Sequence, residues 1–359
     1  MESWKECKRI LCVRTDNMGD LLMSIPALRA LRETFGCSIT LLSSSAAARA
    51  APLIEEIDEV IVFQSPWNRE EAQPEDTFKL ISELRDRAFD AAVIFTVYSQ
   101  NPLPAALTVF LAGIPRRLAY CRENPYQLLT DWVADAEPYF HILHQVTRDL
   151  RLVGSVGAYT QQDRISLSVP AQAWEHARAK ILQTGWDSSK PWIVMHPGVS
   201  EKKRQYPRQR WIEAGRLLCS LGGFQLLVTG NTAEKEITGE LCEVLGPNAF
   251  DLAGMLELEE FVALIDQASV VVSVNTATVH LASATATPLV VLYAMTNPQH
   301  TPWGVPFRIL TFQPPKDLLS KNQVVSFVYQ TMLTKVEDDA TPENVFNAVT
   351  ALTDRSLQF

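Results

Sequence analysis

Short apolar runs rich in Val, Ile and Leu alternate along this chain with longer stretches in which apolar residues return every three or four positions. The first runs are Ile10-Leu11-Cys12-Val13, Ile39-Thr40-Leu41-Leu42, Glu59-Val60-Ile61-Val62-Phe63 and Ala91-Ala92-Val93-Ile94-Phe95. Such runs read as strands buried on both faces of a parallel sheet. The helical period predicts helices over 21–31, with Pro26 near the first turn, and over 78–87 and 104–112; a small-residue turn and helix fill 43–51. The stretch 119–140 carries aromatic, Pro and charged residues without a clean period. A helix is expected over 141–153. Residues 163–170 alternate (Ile165, Leu167, Val169) as an edge strand would.

After a helix over 171–184 and the punctuation Ser188-Ser189-Lys190-Pro191, the rhythm starts again. Strands are expected at Trp192-Ile193-Val194-Met195, Gln225-Leu226-Leu227-Val228, Phe250-Asp251-Leu252, Val270-Val271-Val272, 288–293 and Arg308-Ile309-Leu310. Helices are expected over 211–221, 233–245, 257–267 and 280–286. Thr341 and Pro342 open a last helix as N-cap and first residue. Strand–helix alternation of this kind indicates a doubly wound parallel sheet. Two in tandem give an α/β chain of two nucleotide-fold lobes with a cleft between them. The domains expected are 1–170 and 171–335, with 336–359 as a closing helix that packs back on the first domain.

Composition narrows the class. At 359 residues, 47% hydrophobic and 20% charged, the chain can build two sizeable cores of an ordinary globular protein. Its net charge of -9 argues against a non-specific grip on nucleic acid or on an anionic membrane. The six cysteines, at 7, 12, 37, 121, 219 and 242, have no CxxC or Cys/His ligand spacing. They read as small buried hydrophobes of a reducing compartment. No signal peptide and no membrane-length apolar run are evident, so the cytoplasm is expected, with room for a peripheral contact at the inner membrane. GxGxxG, GxxxxGK[ST], GxSxG and HExxH are all missing.

Four polar loops follow four buried strands, where open α/β sheets bind ligands. In Arg14-Thr15-Asp16-Asn17-Met18-Gly19-Asp20, Asp20 either presents a carboxylate to a substrate hydroxyl or caps the following helix. In the loop from His196-Pro197-Gly198 to Pro207, a Gly allows close backbone approach to a phosphate and Lys202, Lys203 and Arg204 can neutralise it. The alternative is a solvated basic loop. In Thr229-Gly230-Asn231-Thr232-Ala233-Glu234, the acid can take ribose hydroxyls or the Asn can cap. The turn Ser273-Val274-Asn275-Thr276-Ala277-Thr278 opens a helix whose amino end favours an anion. His141 and His144 have metal-like spacing on an expected helix, but no third ligand accompanies them. Trp132, Tyr139 and Phe140 read as core.

Taken together these loops resemble glycosyltransferase family 9, the ADP-heptose:lipopolysaccharide heptosyltransferase family, over nearly the whole chain. The resemblance lies in Ile10 to Asp20 with Ile25-Pro26-Ala27-Leu28, in His196-Pro197-Gly198 with Lys203-Arg204-Gln205-Tyr206-Pro207 and Trp211, and in Val272 to Ala282. Tyr293-Ala294-Met295-Thr296-Asn297-Pro298 with Pro302-Trp303-Gly304 completes it. It implies a GT-B architecture, two facing Rossmann-like domains with the acceptor in the first lobe and the donor in the second. It implies transfer of a heptose or related sugar from a nucleotide diphosphate, ADP-heptose above all, to a glycan or glycolipid acceptor of lipopolysaccharide biosynthesis. The reaction implied is inverting, with no metal and no cofactor. By the same resemblance Asp20, after Gly19, is the general base, and Arg204, or else Lys203, binds phosphate. Ser200, Thr276, Ala277 and the helix from near Thr278 to His280 hold the diphosphate beside His196, Pro197 and Gly198. Glu234 takes the ribose and Gly254-Met255-Leu256 lie by the base. One departure stands out: many members have Asp-Thr-Gly or Asp-Ser-Gly where this chain has Asn275-Thr276-Ala277. It bears on the donor sugar and keeps two other classes in view, a two-lobed nucleotide-sugar epimerase and a nucleotide-sugar-binding protein without turnover.

Overall fold

The apolar runs pair side by side into two six-stranded sheets, one in each half of the chain, and every pairing is parallel. The computed structural model describes residues 4–67, 73–199, 201–294, 297–313, 322–333 and 337–356. The first compact unit is Met1–Ser166 and the second Leu167–Phe359. In the first, β1 (Arg9–Arg14), β2 (Ser38–Ser43), β3 (Glu59–Val62), β4 (Ala91–Ile94), β5 (Arg116–Cys121) and β6 (Asp131–Ala134) stand in the order β3-β2-β1-β4-β5-β6. The second holds β7 (Trp192–His196), β8 (Gln225–Val228), β9 (Ala249–Asp251), β10 (Val271–Val274), β11 (Leu289–Tyr293) and β12 (Phe307–Thr311), in the order β12-β11-β10-β7-β8-β9. Each unit therefore repeats the 3-2-1-4-5-6 order of the Rossmann fold, the two-sheet content of a GT-B chain. In each, the winding reverses at one place, between β1 and β4 and between β7 and β10. A crevice opens beyond the carboxyl ends of strands at such a reversal.

The central strands are buried on both faces, which is why they read as unbroken apolar runs. One face of the first sheet packs Ala27, Leu28 and Leu31 of the Met18–Phe35 helix with Leu152 and Val153; the other packs Leu80, Leu84 and Val109. In the second unit Trp211, Leu218 and Leu241 close on β7, β8 and β10. Burying a side chain of that size contributes roughly 1.5–3 kcal/mol. Cys7, Cys12, Cys37 and Cys121 are buried and all six cysteines are free thiols. No helix among the described residues is long and apolar enough to cross a membrane.

Several expectations need correction. The first helix starts at Met18, so Pro26 lies in its interior, not near its first turn; it is fully surrounded by core. Residues 163–170 keep an alternating burial but form no strand. Arg29 takes up that segment instead, donating to the carbonyls of Gln162 (3.0 Å) and Arg164 (2.8 Å) and to Ser166 Oγ (2.6 Å). The irregular stretch 119–140 hides part of β5 and all of β6, an edge strand too short and too polar to show a period. His141 and His144 do not share a helix: the helix is Gln145–Gly154, and His144 is its cap, accepting from Val146 N–H at 3.2 Å. Trp132, Tyr139 and Phe140 are exposed rather than core, because β6 is an edge and 139–140 lie in a loop. The closing helix Pro342–Ser356 puts Val345, Ala348, Val349 and Leu352 into the core of the second unit.

Candidate active site

In the first unit the reversal point is built from the end of β1 and the start of the Met18–Phe35 helix. Asp20 sits in the first turn of that helix, where its carboxylate accepts the Asn17 N–H at 3.2 Å. The capping reading is therefore correct, and it fixes where the acid points. Gly19, beside it, is buried as well. Arg14, at the end of β1 and wholly buried, lies 3.5 Å from Asp20 Oδ1 and 3.3 Å from Asp16 Oδ2. Burial works against the guanidinium charge, but Asp16, Asp149 and Asp20 around it hold the group protonated, its pKa raised. Asp149 comes from the distant Gln145–Gly154 helix. It accepts from Ser24 Oγ at 2.6 Å and Gln145 Nε2 at 2.7 Å, and Ser24 Oγ also donates to the Asp20 carbonyl at 3.2 Å. Burial pushes both Asp16 and Asp149 up to about 6, against the pull of Arg14.

A second buried cluster adjoins it. Arg148, on the same helix as Asp149, grips Asp135 with both nitrogens (2.9 and 3.1 Å) and lies 3.4 Å from Glu137. Burial raises the Glu137 carboxyl to about 7, opposed by Arg148 and by the Leu143 N–H. The folded chain thus keeps this proton over a range, about pH 4.5 to 7, in which the unfolded chain has lost it. More protons on the folded state means that stability falls as pH rises through that window. Glu137→Gln is expected to lose less stability than the parent between the two ends of the window in urea unfolding. An equal loss in both proteins would contradict the assignment.

In the second unit the reversal point gathers three loops. His196 ends β7, its Nδ1 3.0 Å from Thr229 Oγ1 and its ring 5.7 Å from Phe261; burial lowers its pKa to about 4, so it is neutral at pH 7. The Gly after Pro197 accommodates an acid: a Cβ on Gly198 would lie 2.3 Å from the Glu234 carboxyl group. Glu234 accepts from Asn231 N–H at 2.7 Å in a capping box, and burial raises its pKa. A cavity of about 310 Å³ opens here, walled by Gly198, Val199, Ala233 and Glu234. Gly254, at φ +68°, packs against Thr232 and donates to the Gly230 carbonyl at 2.9 Å, which places Gly254-Met255-Leu256 beside the Glu234 turn.

The basic loop is folded onto the third turn. Lys203 (2.5 Å) and Arg204 (2.7 Å) both pair with Glu201, whose pKa the two cations lower against the effect of burial. Arg204 also reaches the turn after β10, donating to the Asn275 carbonyl at 3.2 Å. Asn275 is buried, and neither its Nδ2 nor the Arg204 Nε has a hydrogen-bond partner among the described residues. The helix that follows, Ala277–Ala284, begins at Thr276 with no side-chain cap. Its first N–H groups, at Ala277 and Thr278, are left for an anion. His280 is buried in the same helix, its ring 6.3 Å from that of His300. Ser200 lies outside the described residues.

Of the residues read from sequence, Arg204, Asn275, Thr276, Ala277 and Thr278 come together at one turn, and Gly198, Glu234 and Gly254 at another. Gly19 and Asp20 belong to the first unit. Sequence reading passed over Asp16, Gln100 and Asp149. Asp16 lay inside a loop already singled out, but nothing local pairs it with Asp149 or with Gln100, whose Nε2 donates to Asp16 Oδ1 at 2.5 Å.

Three comparisons bear on this arrangement. The family model of glycosyltransferase family 9 (heptosyltransferase) matches residues 77–329, more than half of the chain. A lipopolysaccharide heptosyltransferase 2 of Escherichia coli is 26% identical over 356 residues, covering 96% of this chain and 98% of its own length. Among solved structures, a family 9 glycosyltransferase of Veillonella parvula superposes with a TM-score of 0.76 at 14% identity, over 97% of each chain. An E. coli heptosyltransferase holding ADP-2-deoxy-2-fluoro heptose does so at 0.63 and 19% identity, over 90% of this chain and 99% of its own.

Proposed function

The chain belongs to glycosyltransferase family 9 and is a glycosyltransferase; from there we propose that it moves a heptose or related sugar from an ADP-activated donor to a glycan or lipopolysaccharide-core acceptor. The reaction is a single displacement. An acceptor oxygen attacks the anomeric carbon, the bond to the diphosphate breaks, and the configuration inverts. Residues 1–170 take the acceptor and 171–335 the donor, on the cytoplasmic side of the inner membrane. The activities of its relatives and the donor analogue bound to one of them support this reading.

The observation that carries it is the turn at Asn275. A half-buried cation and an uncapped helix amino end meet at a strand-order reversal, which together make an anion site. Arg204, with Lys203 near it, and the N–H groups of Ala277 and Thr278 stabilise the diphosphate as it leaves, with Ser200 assigned there by resemblance. Glu234 accepts from ribose hydroxyls, the Gly254-Met255-Leu256 segment flanks the base, and Asn275 meets hydroxyls of the sugar. Asp20, an acid at the equivalent reversal of the first sheet, removes the proton of the acceptor hydroxyl.

Calorimetric titration with ADP, UDP, GDP and CMP, first without metal and then with Mg²⁺, tests the donor side. Selective ADP binding that ignores Mg²⁺ is expected; preference for another nucleotide would contradict the donor assigned. Arg204→Ala removes a charge-assisted partner and is expected to weaken ADP by about 1.5–3 kcal/mol. An unchanged dissociation constant would move the role to Lys203.

A further inference from the structure

A cavity of about 250 Å³ lies beyond the carboxyl ends of β1 and β4, at the reversal point of the first sheet. It is smaller than the roughly 300–1,000 Å³ of sites for drug-sized ligands, which suits one sugar ring and not a chain of them. Its lining combines apolar residues, Trp67, Phe95, Pro102 and Ala105, with polar ones, Asp16, Gln100 and Asn101. The Trp67 ring centre is 6.0 Å from that of Phe63. An aromatic ring in one cavity with a carboxylate and amides is the chemistry that recognises a pyranose, apolar on its C–H face and edged with hydroxyls.

Hydrogen bonds fix the orientation of the Gln100 amide and of Asp16. Gln100 Oε1 accepts the Val97 N–H at 3.0 Å, which leaves its Nε2 to donate to Asp16 Oδ1 at 2.5 Å. Asp16, its side chain only 9% exposed, is held on its other oxygen by Arg14. Among the described residues lining this cavity, Asp16 is the one ionisable group. The guanidinium behind it is shared among three carboxylates, so the floor of the cavity carries net negative charge.

We propose, building on the transferase reading, that this cavity seats the acceptor's sugar ring and selects an uncharged, hydroxyl-rich one. Asp16 accepts from ring hydroxyls and disfavours rings that bear a carboxylate or a phosphate. A negative group placed there meets a like charge in a poorly solvated pocket, with no cation among the described residues of the cavity wall to receive it.

Saturation-transfer NMR on the full chain decides this, with methyl β-D-glucopyranoside and methyl α-D-mannopyranoside as neutral probes and methyl β-D-glucuronide and glucose 6-phosphate as charged ones. The neutral rings are expected to bind at least about ten-fold more tightly than the charged ones. Asp16→Asn should bring the two classes within about three-fold of each other, because the amide keeps the shape and loses the charge. Trp67→Ala should weaken the neutral rings by about ten-fold, with ADP binding unchanged. Equal or tighter binding of the charged rings to the parent chain would overturn the proposal, as would no binding of any ring, or indifference to Trp67→Ala. Calorimetry with ADP on the same sample keeps the two claims apart. Failure of ADP to bind counts against the donor reading, while the ring titrations still decide the cavity.

Discussion

Asp20→Asn is expected to lower turnover by roughly 10²–10⁴-fold, the share a positioned base commonly contributes. The fold should hold, since the amide oxygen of Asn can still accept the Asn17 N–H that Asp20 accepts now. ADP affinity should hold as well, because the residues assigned to the diphosphate lie on the second sheet. The variant thus separates two explanations of lost activity. A base that is gone lowers kcat with nucleotide binding intact. A helix start that has frayed lowers stability and affinity together. Calorimetry with ADP beside a transfer assay reads both. Full activity in Asp20→Asn would remove the acid from the mechanism, and would direct attention to Asp16, across the same guanidinium.

The second large effect is on stability. Arg148 is 1% exposed. It holds Asp135 through two bonds and Glu137 through a third contact, donates to the Thr96 carbonyl at 3.0 Å, and sits 4.2 Å from the centre of the Tyr120 ring. Arg148→Met keeps much of the side-chain volume and leaves two buried acids without their main cation. Breaking a buried pair in that way costs about 3–5 kcal/mol. Arg122, 3.4 Å from Asp135, softens the loss without reaching Glu137 in the same manner. Urea unfolding at neutral pH measures it. A loss below about 1 kcal/mol would mean that water or Arg122 takes over the charge. The loss should shrink toward acid pH, where Glu137 is protonated in the folded chain.

The sheets were legible because their strands are buried on both faces, and burial of that kind leaves an unbroken apolar run with a polar loop at its end. Ile10 to Val13 and Val270 to Val272 announce β1 and β10 that way. Edge strand β6 was not legible: Asp131-Trp132-Val133-Ala134 has one exposed face and only four residues. The stretch 163–170 misled in the opposite sense. Its alternation is real burial, but Arg29, far away in sequence, occupies the carbonyls that a neighbouring strand would have used. At the site, loops contiguous in sequence were readable and contacts across the fold were not. The Gly after Pro197 looked like room for a phosphate, and the side chain it makes room for is Glu234. Asp20 looked like either a cap or an acid, and its geometry allows both. Asp149, more than a hundred residues from Arg14, gives no local sign of belonging with it.

The central claim is that this chain releases ADP from an ADP-sugar by transfer, using its own cation and helix end in place of a metal. The direct test is ADP release and sugar incorporation from ADP-heptose by the full chain, with a lipopolysaccharide-core acceptor and EDTA present. The expected result is acceptor-dependent release that EDTA leaves intact and Asp20→Asn lowers by roughly 10²–10⁴-fold. Release that stops in EDTA and returns with Mg²⁺, or transfer from a UDP- or GDP-sugar in preference to ADP-heptose, would contradict it.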